Sequence, residues 1–313
     1  MQIALYAFLL VVGLVIAILA SGRAVDYTRA LAAAIGAPPF VVGVALVSIG
    51  TDLPEIANSI VAHLQGEGDV NVGDSVGSAL TQYTLVLGLF PLIIAVIPVT
   101  RRQVGVVSLL TIVGLGATAV FVSDGWLGRW EGVALVAAWA VFTVIVVKSV
   151  PGIIPDDPPK VRYGSKLAQV GVVLLSLGIV GVGATLAVRS LIRIAEIAGV
   201  SEFVIAFFGL SFGTSTPELV VDVTALLRGA PGIALGDALG SSLVDATLSI
   251  GAGPIVAPAE VTAERGVTAS LYTILAVAVV GILLAARRRH DRWSGPVLIG
   301  LYIVSYFVIL GSD

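Results

Sequence analysis

The chain reads SIGTDLPE at residues 48–55 and SFGTSTPE at residues 211–218, and GDSVGSAL at residues 73–80 answers to GDALGSSL at residues 236–243. Both pairs share one offset, 163 residues, with no gap between them. Across 43–88 against 206–251 about 16 of 46 positions are identical, although the rest of each half has diverged. A repeat kept only for packing would not need to preserve Glu and Ser. The retained residues therefore point to chemistry that both halves carry out.

The surroundings of these motifs are strongly apolar. Of the 313 residues 58% are hydrophobic and only 12% charged, and the mean hydropathy is +1.07. A soluble domain has too few interior places for so much apolar surface, whereas a bilayer takes helices of about 20 apolar residues each. Apolar runs fall at 3–20, 40–63, 71–97, 103–122, 130–147, 166–188, 202–227, 233–256, 266–286 and 296–311. The third run is expected to break or tilt near Phe90-Pro91. The first run has no basic flank and no small-residue cleavage site, so it reads as a span and not as a signal peptide. Cys is absent, which excludes disulfides and thiolate metal sites. The expected fold is an all-α integral membrane protein with ten transmembrane helices. A first five-helix repeat would occupy 1–150, a Pro-rich cytoplasmic linker 151–165, and a second repeat 166–313.

Lys and Arg fall unevenly. Odd-numbered loops hold 13 of the 17 basic residues, and even-numbered loops hold Arg129, Arg189, Arg193 and Arg265. The odd loops are therefore expected on the cytoplasmic side, with both termini outside. The offset of 163 residues spans five helices, an odd number, so the second copy would lie upside down relative to the first. Inverted repeats of this kind place a transport site near the bilayer midplane.

Glu55 follows Pro54 and Glu218 follows Pro217. A Pro inside a helix removes one N–H and displaces the carbonyl four residues back. That would free the Gly50 and Gly213 carbonyls, beside those of Ser48 and Ser211. Ser48, Thr51, Asp52 and Glu55 share one helical face, and Ser211, Thr214, Ser215 and Glu218 repeat it. The second motifs add Ser78 with Gln82 and Ser241 with Asp245, next to glycines that permit close helix packing. Bringing the motif helices together would gather Asp52, Glu55, Glu218 and Asp245 among hydroxyl, amide and carbonyl oxygens. Hard cations want such ligands, while softer metals call for His or Cys; His63 and His290 lie outside the motifs. Other roles compete at some positions. Asp245 could be a hydrogen-bonded interior Asp, Asp52 a vestibule residue, and Gln82 an interhelical hydrogen-bonding group. Asp74 and Asp237 could cap helices, and Asp222 could guide ions at a cytoplasmic mouth. Arg287, Arg288, Arg289 and Arg292 read as an orientation signal or lipid contact.

Magnitudes separate these readings. An ionisable residue at mid-bilayer costs about 2.5–3.5 kcal/mol even on the lenient insertion scale. Two carboxylates about 5 Å apart at an effective dielectric of about 20 repel by roughly 3 kcal/mol. Four such groups must bind cations, protons or both.

These residues resemble the calcium/cation antiporter superfamily, and within it the prokaryotic sodium/calcium exchangers, marked by G-T-S-x-P-E followed by G-N-x-x-G-S-N-x-x-[ND] in two inverted repeats. The resemblance covers both motifs and the ten-span layout. It implies that Glu55, Glu218, Gln82 and Asp245, supported by Thr51, Thr214, Ser215, Ser78 and Ser241, form one cluster of Na⁺ and Ca²⁺ sites. Asp52 stands where the family usually has Ser and Gln82 where it has Asn, Asp74 and Asp237 replace the Asn of the G-N pair, and Ala79 and Ser242 replace the later Asn. The added carboxylate favours a divalent ion or carries a proton. The resemblance implies an antiporter, not an enzyme, that exchanges Ca²⁺ for Na⁺ by alternating access. Spans 1 and 6 would slide across a core of spans 2, 3, 7 and 8. Ca²⁺ and Na⁺ are the transported ions, with no organic cofactor. The expected partners are small cations and membrane lipid but no nucleic acid, in a multi-pass plasma-membrane protein; a monomer is the expectation, though the sequence is silent on oligomeric state. Ca²⁺/H⁺ exchange on the same fold is the nearest alternative; a cation channel and a cation sensor are rivals from other classes.

Overall fold

The computed structural model describes residues 2–150, 161–162, 164–197 and 215–310. It is almost wholly helical. In chain order the helices are α1 (Gln2–Ile35), α2 (Pro39–Thr51), α3 (Leu53–Leu64), α4 (Gly68–Ile93), α5 (Arg101–Phe121), α6 (Arg129–Ser149), α7 (Lys166–Ile197), α8 (Thr216–Leu227), α9 (Pro231–Val256), α10 (Ala263–Arg287) and α11 (Ser294–Leu310). Seven of these are long and apolar enough to span a membrane, and α2 with α3 forms a further candidate bent by 45°. α11 is a shorter apolar helix. The span expected at 202–227 is described only from residue 215 onward.

The local structure repeats with the sequence. α3 and α8 have bounds 163 residues apart, as do α4 and α9. A π-helical turn interrupts α4 at Gln82–Val86 and α9 at Asp245–Ser249, at the same offset. Contacts repeat too. A Cβ at Gly88 would stand 3.1 Å from the Gly295 carbonyl oxygen, and one at Gly132 would stand 2.7 Å from that of Gly251. Gly251 is the counterpart of Gly88 in the repeat, and Gly295 that of Gly132. Short antiparallel ribbons pair β1 (Val96–Pro98) with β4 (Arg289–Asp291) and β2 (Trp126–Leu127) with β3 (Ala259–Glu260), each tying one half to the other.

α4 and α9 form the centre, 72% and 78% buried over their apolar windows, whereas α1 and α6 are 17% buried. α1 lies along α7. Their backbones nearly touch: a Cβ at Gly13 would meet the Gly183 carbonyl oxygen at 2.6 Å, and one at Gly183 would meet that of Gly13 at 2.8 Å. Small residues at a crossing let apolar helices approach this closely without a hydrophobic drive between them. α1 also runs well past the expected 3–20. No Pro or Gly breaker acts before Gly36, at φ +68, and Ala30, Ala32, Ala33 and Ala34 favour continuation. At about 1.5 Å per residue α1 and α7 exceed the roughly 30 Å hydrocarbon core. Their charged ends therefore stand clear of it. On α1 Asp26 pairs with Arg228, and at the end of α10 both Arg287 and Arg289 pair with Asp291, at 2.7 and 2.9 Å.

α4 does not break at Pro91; it runs on to Ile93. The missing Pro91 N–H leaves the Leu87 carbonyl without its helical donor, and in a bilayer another group must satisfy it. His290 does so, donating from Nε2 at 2.6 Å, while its Nδ1 faces the Ser294 hydroxyl at 2.7 Å. Pro254 poses the same problem at Ile250, and Asn71 solves it from Nδ2 at 3.0 Å. Asn71 is held by His63 Nε2 at 2.9 Å, whose Nδ1–H donates to the Ala257 carbonyl at 2.7 Å. Thus both histidines are structural caps. Leaving either carbonyl unpaired costs about 1–3 kcal/mol. Asn71→Leu and His290→Phe are each expected to lower the melting temperature of the detergent-solubilised protein by several degrees. Melting curves that overlay the wild type would refute the capping role.

Candidate cation site

A helix break in one motif and a matching helix start in the other build the site. α2 ends at Thr51, Asp52 leaves the helix at φ −81, ψ 5, and α3 begins at Leu53. Ser215 adopts φ −85, ψ 9 in front of α8, the same backbone as its counterpart Asp52 in front of α3. Pro54 and Pro217 therefore sit in the first turns of new helices, not in the middle of continuous ones. Proline is preorganised for that position, where its absent N–H has no partner to lose. The expectation of an unbroken helix is corrected accordingly, while Pro54 still has no N–H to offer the Gly50 carbonyl. The Ser48 carbonyl accepts the Asp52 N–H at 2.9 Å, and Gly213 lies outside the described residues.

The break turns the end of α2 and the start of α3 toward α8. Asp52, Glu55 and Glu218 each offer a carboxylate oxygen, and these atoms lie within 4.8 Å of one another. All three side chains are buried, at 1%, 2% and 0% exposure. Both oxygens of Asp52, both of Glu218 and Oε2 of Glu55 have no hydrogen-bond partner. Gln82 and Asp245 open the two π turns, the extra residue of which re-aims a side chain at functional sites. Both are buried. Gln82 Oε1, both Asp245 oxygens and the Ser215 hydroxyl are likewise without hydrogen-bond partners. Asp52, Glu55 and Asp74 are the charged neighbours of Asp245.

The hydroxyl groups flank this cluster. Thr51 Oγ1 lies 3.2 and 3.1 Å from the Val47 and Ser48 carbonyls, 3.3 Å from Asp237 Oδ1 and 3.4 Å from Ser241 Oγ. Ser48 turns its hydroxyl back to the Val44 carbonyl at 2.7 Å. Ser78 and Ser241 are buried on α4 and α9. Ser211 and Thr214 lie outside the described residues.

Two acids hold places the sequence left open. Asp74 and Asp237 lie inside α4 and α9 and cap neither helix. Asp74 accepts from Asn58 Nδ2 at 2.6 Å; Asp237 is fully buried beside Thr51. Asp222 is the acid one turn past Glu218 on α8. It has 0% exposure and faces Asp237. The signal for it was its spacing, one helical turn from Glu218, on a face that also has to meet α9.

Among the described residues no Lys or Arg side chain is buried. Three carboxylates about 5 Å apart at an effective dielectric of about 20 repel by roughly 10 kcal/mol in sum. The donor set is all oxygen, the chemistry that Ca²⁺ takes in six- to eight-fold coordination. Such a set can be balanced by a bound cation or by protons. Beside the break, a cavity of about 450 Å³ lies between α7 and α2–α3, lined by Gly50, Leu53, Pro54, Leu177, Gly181 and Arg189 among others.

The chain is similar over nearly its whole length to known membrane transporters. It is 30% identical to the candidate antiporter CaxA of Alkalimonas amylolytica, covering 96% of this chain and 97% of that one. The sodium/calcium exchanger MaX1 of Methanosarcina acetivorans is 25% identical over 96% of this chain and 97% of its own. Among solved structures, the sodium-calcium exchanger NCX_Mj soaked with 10 mM Na⁺ and zero Ca²⁺ superposes with a TM-score of 0.81 at 26% identity, covering 97% of this chain and 98% of that one. The family model described as sodium/calcium exchanger protein matches twice, over residues 5–148 and again over 168–311. With both halves matched, the chain belongs to the sodium/calcium exchanger family, whose members are membrane transporters and not enzymes.

Proposed function

We propose that the protein exchanges Ca²⁺ for Na⁺ across the plasma membrane by alternating access. The observation that carries this reading is the trio Asp52, Glu55 and Glu218, buried within 4.8 Å with no buried basic side chain nearby among the described residues. Glu55, Glu218, Asp245, Asp52 and Gln82 bind the ions, assisted by Thr51, Ser215, Ser78, Ser241 and Ser48 and by their counterparts Thr214 and Ser211. Ten transmembrane helices form two inverted five-helix repeats, 1–150 and 166–313, joined by 151–165. The matching bounds of α3 and α8 and of α4 and α9, together with the double family match, support that division. Both termini face the outside, and the Arg-rich odd loops face the cytoplasm.

α1 and α7 move as one pair. Their mutual contact is close, and α7 meets the core across the cavity at Gly50, Leu53 and Pro54. The empty cluster is too negative to reorient cheaply, so only a cation-filled protein switches; that condition gives exchange without leak. Asp52 favours a second reading, Ca²⁺/H⁺ exchange, because it adds a carboxylate to the trio.

Proteoliposomes loaded with Na⁺ or with acid, given radiolabelled Ca²⁺ outside, decide between them. Sodium-driven uptake is expected. Uptake driven by the pH gradient alone would establish the second reading instead, and uptake under neither would remove Ca²⁺ as the substrate.

A further inference from the structure

The buried charge around the site exceeds what one ion balances. Asp52, Glu55, Glu218, Asp222, Asp237 and Asp245 all have 2% exposure or less, and one divalent cation at the trio balances two carboxylates, leaving four of the six carboxyls to further cations or protons. Two of the others stand apart as a pair. Asp222 lies on α8 one turn past Glu218, toward Arg228, and Asp237 lies on α9 about two turns before Asp245, toward Pro231. α8 packs against α9, which brings the two carboxyls within interaction range of each other. Both oxygens of Asp222 and Oδ2 of Asp237 are buried without hydrogen-bond partners, while Asp237 Oδ1 accepts from the Thr51 hydroxyl at 3.3 Å.

The other half has no such pair. The positions matching Asp222 and Asp237 are Ser59 and Asp74. The Ser59 hydroxyl accepts the Gly253 N–H at 3.0 Å, and Asp74 is half-buried and taken by Asn58. The surplus is thus on one side only, that of the Arg228 turn.

We propose that Asp222 and Asp237, with the Thr51 hydroxyl, form a second cation subsite beside the central trio, on the side of the Arg228 turn. All its donors are oxygens, so it takes a small hard cation. Thr51 also faces Ser241, so its hydroxyl stands between the subsite and the polar groups of α9. The subsite rests on the reading of the trio as a cation site.

Equilibrium dialysis of the full-length protein in detergent tests the proposal, with radiolabelled Ca²⁺ in one arm and radiolabelled Na⁺ in the other. Asp222→Asn/Asp237→Asn is expected to bind one cation fewer per chain than the wild type in one arm, which also identifies the ion. Its remaining Ca²⁺ binding persists and disappears in Glu55→Gln/Glu218→Gln. Equal stoichiometry in both arms would overturn the subsite, and so would loss of all binding in the Asp222/Asp237 variant. If that variant is not monodisperse, Asp237→Asn alone is measured. Its affinity for the outlying cation should fall by more than about tenfold, since a full charge is removed at contact distance, and an unchanged affinity overturns the proposal. Unaltered Ca²⁺ binding in Glu55→Gln/Glu218→Gln would instead strike at the central site, so the two failures are distinct.

Discussion

Glu218→Gln is expected to lower Ca²⁺ flux by at least about a hundredfold at subsaturating Ca²⁺. Glu218 is fully buried, with neither oxygen in a hydrogen bond, and its ligand atom lies within 4.8 Å of those of Asp52 and Glu55. Breaking one partner out of a buried ionic cluster costs about 3–5 kcal/mol, and each 1.4 kcal/mol is about tenfold in affinity. The stability effect should have the opposite sign. Without cations, the substitution removes a negative charge from two like neighbours, each interaction worth about 3 kcal/mol. The variant should therefore melt no lower than the wild type in chelator, and it should lose most of the rise in melting temperature that Ca²⁺ confers on the wild type. Flux within a few-fold of wild type would sink the assignment of Glu218. A variant that melts early in chelator as well would mark Glu218 as a structural group.

The motifs made the site legible because its chemistry is written in charged residues against apolar background. Asp52, Glu55, Glu218 and Asp245 stand out since an ionisable side chain at that depth is costly without a partner. The helix breaks were less accessible. Pro54 and Pro217 announce a disruption, but a Pro inside a helix and a Pro opening one look alike along the chain, and only the backbone at Asp52 and Ser215 tells them apart. The π turns at Gln82 and Asp245 leave no trace in composition, because an extra residue in one turn changes spacing by less than a helical face. Nor could the sequence reveal which of two symmetric acids is engaged. Asp74 and Asp237 occupy equal places in their motifs, yet Asn58 reaches the first and Asp222 meets the second. Tertiary neighbours decide that difference. For the same reason His63 and His290 read as incidental until Pro91 and Pro254 placed unpaired carbonyls beside their networks. The length of α1 followed local propensity beyond its apolar run, which hydropathy does not register.

Locking α7 to the break should stop exchange while leaving ion binding in place. A Cβ at Gly50 would lie 3.1 Å from Cβ of Leu177, a few tenths of an ångström short of the usual disulfide range of about 3.5–4.5 Å. The chain has no Cys of its own, so Gly50→Cys/Leu177→Cys can form only this bond within one molecule. The replacement also removes the Leu177 Cδ1 that would crowd a side chain at Gly50, at 2.4 Å, which should let the reduced protein keep its packing. Oxidation then ties α7 to the last turn of α2 across the cavity at Gly50, Pro54 and Leu177. If α1 and α7 must slide over the core for the site to change sides, the oxidised protein should exchange Ca²⁺ at background rate. Its equilibrium Ca²⁺ binding should stay within about fivefold of the reduced form, a difference of about 1 kcal/mol. Reductant should restore flux, and neither single-Cys variant should respond to oxidant. Full flux in a sample shown by thiol alkylation to be completely cross-linked would mean that α7 does not move against the break. The alternation would then have to be carried by the core helices themselves, where a Cβ at Gly253 would meet the Ser59 carbonyl oxygen at 2.4 Å and one at Gly236 that of Phe40 at 2.3 Å. Contacts that tight leave little room to slide.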